Sequence, residues 1–277
     1  MILVTGASGT VGSEVARQLR AQGAPVRVAS RTASAGKDAL PVDFAHPETL
    51  APALAGVDAV FLLGATLPNQ AELETNVVTA AKKAGVKRLV KLSVFGAATE
   101  AFGFARIHRA VEKAIEASGI PFTFLRANGF MQNVANFYAG TIKAQGAFYG
   151  SAGEALISHV DVRDIAAVAV KALTEPGHEG RAYTITGPEA LTYSQIAQKV
   201  SVATGKPVAY VNLTDEQAKQ GALGAGLPEF YADLLVDLTR YYRGGTAAEV
   251  SGDVAKVTGA NPRTFDSFLA DHLAAFR

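Results

Sequence analysis

The chain opens on a short apolar run, Ile2 to Thr5, then a glycine-rich turn, then Val11, Val15 and Leu19 at helical spacing. The run reads as a strand and Thr10 to Gln22 as a helix closed by Gly23, because apolar residues three and four apart share one helix face. This change of period repeats along the first half. Val26 to Ala29 and Leu40 to Val42 read as strands, and Leu50 and Leu54 mark a short helix after Pro47. Ala59 to Leu63 is apolar throughout, as expected of a strand covered on both faces. Leu73, Val77, Ala80 and Ala84 stripe a helix closed by Gly85, and Leu89 to Leu92 makes a fifth strand. Ile107, Val111 and Ile115 stripe another helix, closed by Gly119, before a sixth strand at Phe122 to Leu125.

Strands alternating with helices predict a parallel sheet covered on both faces. The expected fold class is α/β, a doubly wound parallel Rossmann-type sheet with a smaller, mostly helical C-terminal lobe. Beyond about residue 150 the rhythm changes. Asp161 and Asp164 open a helix, Ala182 to Thr186 reads as a strand, and the remainder is mostly helical apart from Val208 to Val211. Two parts are predicted: residues 1–150 as the NAD(P)-binding core and residues 151–277 as a smaller lobe that caps the substrate. Neither a low-complexity linker nor an internal repeat separates them.

Composition narrows the function classes. At 277 residues, 49% hydrophobic and 18% charged, the chain is long and apolar enough for a substantial core. The net charge of +1, from 26 basic and 25 acidic residues, gives no basic excess for a nucleic acid. With no cysteine there is no disulfide, thiolate nucleophile or cysteine metal site. The opening MILVTGASG lacks a signal-peptide pattern, and apolar stretches such as Asp164 to Leu173 are broken by charge well short of a membrane span. The expectation is a cytoplasmic protein without nucleic-acid or membrane partners, with a homodimer as the candidate assembly. The five histidines show no metal-ligand spacing, and no nucleophile-elbow sequence is present.

The segment TGASGTVG places Gly6, Gly9 and Gly12 between the first strand and first helix. Gly6 permits the sharp turn, Gly9 lets the backbone approach a pyrophosphate, and Gly12 allows close helix–strand packing. The diphosphate then lies on free N–H groups at the helix start, where the macrodipole favours negative charge. Ser8, Thr10 and Val11 belong to the same cradle, and Gly64 follows the fourth strand beside it. After the second strand the chain reads Ala29, Ser30, Arg31, Thr32, with no carboxylate to accept from a ribose 2′-hydroxyl. Arg31, assisted by Lys37, suits a 2′-phosphate instead, so NADP(H) is expected over NAD(H). Asp43 and Phe44 follow the third strand where adenine lies; Asp43 either accepts from the adenine amino group or simply starts the next turn.

The glycine spacing G-x-x-G-x-x-G resembles that of short-chain dehydrogenase/reductase relatives. Together with LVKLSVFGA, VEKAIEASGIPFTFLRANGFMQN, VDVRDIAAVAV, YTITGPEALTYSQIA and TGANPRTFDSFL, the pattern resembles the NmrA-like branch of the atypical members over nearly the whole chain. That branch includes type-two NADPH quinone oxidoreductases, triphenylmethane dye reductases and cofactor-sensing regulators. The resemblance implies a two-lobed fold with the nicotinamide in the cleft between lobes, and leaves the substrate open.

Ordinary short-chain dehydrogenases use a Tyr-x-x-x-Lys pair, but none of the eight tyrosines here has Lys four residues on. In the corresponding helix the sequence is ARIHRAVEK, with His108 near the active-site position. A quinone or cationic dye is already a strong hydride acceptor, and needs orientation and a dry pocket more than a tuned acid. His108, one turn before Glu112 and able to pair with it, and Ser93, at the end of the fifth strand, are the catalytic candidates; each has a plain structural alternative. Asn128, Gly129, Phe130 and Met131 are expected to border the substrate, and Phe95 opens a loop to Phe104 that either closes over a flat aromatic or is a pinned surface connection. The expected function is NADPH-dependent hydride transfer to a quinone-like or other conjugated aromatic acceptor. The alternative is a non-catalytic NADP(H)-binding redox sensor acting through a partner protein, and a nucleotide-sugar enzyme ranks third.

Overall fold

Two-residue periodicity sends successive strand side chains to opposite faces of one sheet, and each face finds its own helices. The computed structural model describes residues 1–31 and 39–277. The elements of the first part are β1 (Ile2–Val4), α1 (Thr10–Ala21), β2 (Val26–Ser30), β3 (Ala39–Pro41), α2 (Leu50–Leu54), β4 (Ala59–Leu62), α3 (Gln70–Lys83), β5 (Arg88–Val94), α4 (Gly103–Ser118) and β6 (Phe122–Ala127). There follow a broken helical stretch, α5 (Met131–Asn133) and α6 (Ala139–Gln145) joined through a π-turn at Val134–Tyr138, then β7 (Ala147–Gly150), α7 (Val162–Thr174) and β8 (Arg181–Ile185). The chain ends with α8 (Tyr193–Thr204), β9 (Ala209–Asn212), α9 (Asp215–Gly224), α10 (Glu229–Arg243), α11 (Asp253–Thr258) and α12 (Phe265–His272).

Seven strands pair in the order β3-β2-β1-β4-β5-β6-β8, every pair parallel. Val4, Phe61, Val90, Leu125 and Ile185 face one side, where they bury against Val11, Val15 and Leu19 of α1 and Ile165 and Val168 of α7. Leu3, Val60, Leu62, Leu89 and Phe124 face the other, against α2, α3 and α4. Each such side chain taken out of water stabilises the fold by about 1.5–3 kcal/mol before chain entropy is counted. A third core gathers Ile142, Phe148, Tyr193, Ile196, Phe265 and Phe268 around the small β7–β9 sheet.

Three features depart from the pattern reading. The strand expected at Ala182 to Thr186 joins the large sheet as β8 beside β6, because Tyr183 and Ile185 bury in the α1–α7 core. With α7 and, through Val254, α11 on that same core, three elements beyond residue 150 belong with the first part in space. β7 was not anticipated, being four residues paired only with the distant β9. Finally, β5 runs on to Val94 and β6 to Ala127, since the polar residues near their ends find buried partners.

Candidate active-site cleft

The strand order reverses between β1 and β4, and in open sheets of this kind the crevice outside the carboxyl ends there receives ligands. The Thr5 hydroxyl accepts from the Leu63 N–H at 2.8 Å and ties the two strand ends together. Gly6 takes φ +63°, and a Cβ on it would stand 2.9 Å from the Leu63 carbonyl oxygen; on Gly12 it would stand 2.2 Å from the Gly6 carbonyl oxygen. Packing alone fixes both as glycine. Gly9 differs: its φ is −92°, and the nearest atom to a Cβ there is 3.4 Å away, so the fold itself does not demand glycine. α1 has no side-chain N-cap and no acidic residue in its first turn, leaving its leading N–H groups and dipole for an anion. Val11 buries its side chain in the core, so only its backbone is available to a ligand.

Around this turn, the Ser30 hydroxyl donates to Ser8 at 3.4 Å, and Arg31 follows β2 in an exposed position. Lys37 lies outside the described residues. Asp43 accepts from the Ala45 N–H at 3.0 Å, the turn-starting role, while the Phe44 carbonyl accepts from Asn76 at 3.0 Å.

Beyond the turn a cavity of about 950 Å³ runs from Leu63 and Gly64 past the ends of β5 and β6 to Tyr193, Tyr241 and Tyr242. Its floor rests on two buried polar groups. In one, the Ser93 hydroxyl donates to Glu112 at 2.7 Å, and Glu112 also accepts from Arg126 at 2.7 Å and Arg109 at 3.1 Å. Burial raises the Glu112 pKa, but Arg126, Ser93 and Arg109 outweigh it and hold the carboxyl below its ordinary value. Ser93 thus reaches the cleft with its proton committed, offering only lone pairs.

The second group was not read from the sequence. Lys91 on β5 is fully buried and pairs with Glu74 of α3 at 2.9 Å; Glu74 also accepts from Gln70 at 3.0 Å and from the Gly64 N–H at 3.1 Å. The Lys91 ammonium bonds the Leu92 carbonyl and lies 3.3 Å from Nδ1 of His108. The partner of His108 is therefore Lys91, and the His108–Glu112 pairing expected from helical spacing is replaced, because Glu112 is taken by Ser93 and two arginines. Burial first, then the Lys91 charge, holds the His108 pKa well below the ordinary imidazole value of 6.5. An ammonium has no lone pair, so Nδ1 must accept and the neutral ring carries its proton on Nε2. A lysine alone in an apolar strand was the visible signal, since a buried charge requires a partner.

Other expected site residues divide. Asn128 borders the cleft, but its carboxamide donates to Ser158 and the Ala247 carbonyl, both at 2.9 Å, and accepts from the Gly129 N–H, so it fastens β6 to two loops. Met131 is buried in the third core, outside the cleft lining; its helical turn points it inward. Gly129 and Phe130 do line the cleft, as does Phe95. A Cβ on Gly129 would meet Nε2 of His159 at 3.3 Å and the Tyr242 hydroxyl at 3.4 Å, so the bare backbone keeps this surface open. His159 was also missed; its Nδ1 bonds the Ile157 carbonyl at 3.2 Å and burial pushes its pKa down to about 4. The loop from Phe95 to Phe104 is the pinned connection: Phe102 stacks on Tyr241 at 4.4 Å and Phe104 meets Tyr231 edge-on at 5.9 Å. The π-turn presents Val134, Phe137 and Tyr138 to the cavity. Among the described residues, no cluster of acidic and histidine side chains is placed to hold a metal.

Comparison with known proteins adds what geometry alone does not give. A model of the NmrA-like family matches residues 1–269. An NAD(P)H azoreductase from Xenophilus azovorans is 42% identical over all of this chain and 99% of its own length. A (4-alkanoyl-5-oxo-2,5-dihydrofuran-3-yl)methyl phosphate reductase from Streptomyces griseus is 39% identical, over 100% of this chain and 99% of its own. The crystal structure of an NADPH-dependent quinone oxidoreductase from Escherichia coli complexed with NADPH superposes with a TM-score of 0.89 at 30% identity, covering 99% of this chain and 100% of that one.

Proposed function

The chain belongs to the NmrA-like family, and from that premise we propose that it is an NADPH-dependent reductase delivering a hydride to quinone-like or dye-like conjugated acceptors. The observation that carries the reading is the continuity of two sites. The glycine turn, with an uncapped helix start behind it, abuts Leu63, where a wide aromatic cleft at the strand ends begins. Relatives named for azo, quinone and dihydrofuran reduction share the whole length of this chain.

The residues fit the nucleotide. Gly9 has space that the fold does not use, the α1 N-terminus is uncapped, and the Gln70 side-chain oxygen is buried at the cleft without a partner among the described residues. Amides of residues 10–12 would hold the diphosphate and Arg31 the 2′-phosphate. When bound, NADPH supplies the hydride. The chain's own residues then orient the acceptor between the bare Gly129 surface and the tyrosines above it, and exclude water. His108 presents its Nε2–H as a donor to an acceptor oxygen or nitrogen as negative charge builds there. Its low pKa keeps it neutral at pH 7, so it acts as a fixed donor and the product's proton comes from water. Residues 1–150 serve as the nucleotide core and 151–277 chiefly as the cap, in a cytoplasmic protein; no described helix is long and apolar enough to cross a membrane. Fractionation and light scattering check the location and the homodimer.

The direct test is NADPH oxidation against a panel of quinones and azo dyes. Turnover with several members is expected. Tight NADP binding with no turnover on any acceptor would instead favour a redox sensor.

A further inference from the structure

Two neutral histidines line the cleft with opposite hydrogen-bond polarity. His108 receives the Lys91 ammonium on Nδ1 and so shows Nε2–H to the cleft. His159 is fixed the other way. Its Nδ1 lies 3.2 Å from the Ile157 carbonyl oxygen, which can only accept, so the proton sits on Nδ1 and Nε2 carries a lone pair. Burial keeps this ring neutral, with its pKa down at about 4. Gly129 leaves the lone pair uncovered: the position of its missing Cβ is 3.3 Å from Nε2 and 3.4 Å from the Tyr242 hydroxyl. The two polar atoms thus face one spot just past β6, the strand next to the one that carries Lys91. Both side chains line the cleft, and among the described residues neither atom has a hydrogen-bond partner. This corner is enclosed, His159 being 4% and Tyr242 6% exposed, unlike the rim at Phe137, which is 63% exposed.

We propose that Nε2 of His159, seconded by the Tyr242 hydroxyl, determines specificity at the acceptor site by taking a hydrogen bond from an N–H or O–H on the acceptor's ring. The site then favours quinone-like rings that carry such a donor over rings that carry carbonyls alone. The inference deepens the reductase reading and rests on it. A ring with a carbonyl and an amino group offers each histidine a partner, the carbonyl accepting from His108 and the N–H donating to His159. A ring without the donor leaves the buried lone pair to a trapped water or to nothing, and a site shaped to bond an N–H discriminates against the analogue that lacks it. The Tyr242 hydroxyl both donates and accepts, so it supports the same group without by itself choosing a donor.

The test uses the purified full chain with 2-amino-1,4-naphthoquinone and 2-methyl-1,4-naphthoquinone, two uncharged rings of similar size. The amino group makes the free quinone the weaker hydride acceptor. The readout is therefore how each substitution changes the ratio of the two kcat/KM values, in which that intrinsic difference cancels. His159→Phe should lower the amino-to-methyl ratio about fivefold or more, through KM rather than kcat, because the N–H is bonded before hydride transfer as much as during it. Tyr242→Phe, which removes one oxygen, should lower it about threefold, and decides alone if His159→Phe does not fold. A ratio that neither substitution moves would overturn the proposal. Calorimetric titration of both quinones into the NADP-bound chain separates the two readings. If neither is reduced, yet the amino compound binds more tightly and His159→Phe abolishes the difference, the reductase reading falls and the specificity role stands. If both are reduced at a ratio indifferent to the two substitutions, the reductase reading stands and His159 serves packing only.

Discussion

Single residues in this cleft carry different kinds of necessity. Gly12 is required by packing, because its Cβ would collide with the Gly6 carbonyl, whereas Gly9 faces no such clash. Gly12→Ala should therefore lower Tm, while Gly9→Ala should leave Tm within a degree or two and weaken NADPH binding on the order of tenfold or more; calorimetry and thermal denaturation separate the cases. Equal Tm losses would mean that the turn is purely structural. The Lys91–His108 contact makes a second residue-scale prediction. His108→Leu should lower kcat on the order of 10²-fold with a smaller change in KM. In a Lys91→Met/Glu74→Gln variant, which removes both buried charges together, the His108 pKa should rise while burial, the larger cause, still holds it below 6.5, so the acid limb of the kcat–pH profile should move to higher pH. An acid limb that stays where it is in the parent protein would mean that the Lys91 charge does not tune His108. The two depressed histidines also bear on stability. Unfolded, they bind protons near pH 6.5, but in the fold His159 does so only near 4, so stability should fall as pH drops through that window.

Elements place these residues by register. Lys91 and Ser93 are two apart on β5 and so face the same side, toward α3 and α4, where His108 and Glu112 stand one helical turn apart. Two strand positions thus meet two helix positions, and the polar pairs fall out of the two periods. The sequence showed each period, yet not which strand residue would meet which helix residue, because that depends on how far α4 slides along the sheet. The loop from Phe95 to Phe104 makes the same point. Its aromatics were legible, but their partners Tyr231 and Tyr241 lie on α10, far along the chain. Phe102→Ala should cost about 3–5 kcal/mol of stability and open this loop to protease, with NADPH giving only partial protection. Unchanged protease resistance would show that α10 does not pin it.

At the scale of the whole molecule, nucleotide binding should report on the fold that makes it. At NADPH about 100-fold above its Kd, unfolding free energy should rise by about 2.7 kcal/mol, visible as a higher Tm. NADH at the same concentration should raise it less, and Arg31→Ala should bring the two cofactors together; equal losses for both would remove Arg31 from cofactor choice. What the sequence determined by itself was local: strand and helix periods, the glycine turn that follows the first strand, and the missing Tyr-x-x-x-Lys pair. Those signals reside in spacings of a few residues, which backbone geometry reads directly. Only the tertiary structure decided that Lys91 rather than Glu112 would face His108, that Asn128 and Met131 would serve the framework, and that β8 would return to the large sheet. Each depends on which distant group satisfies a buried charge, amide or apolar face, and such demands are met by whatever the packed chain brings near, not by neighbours in sequence.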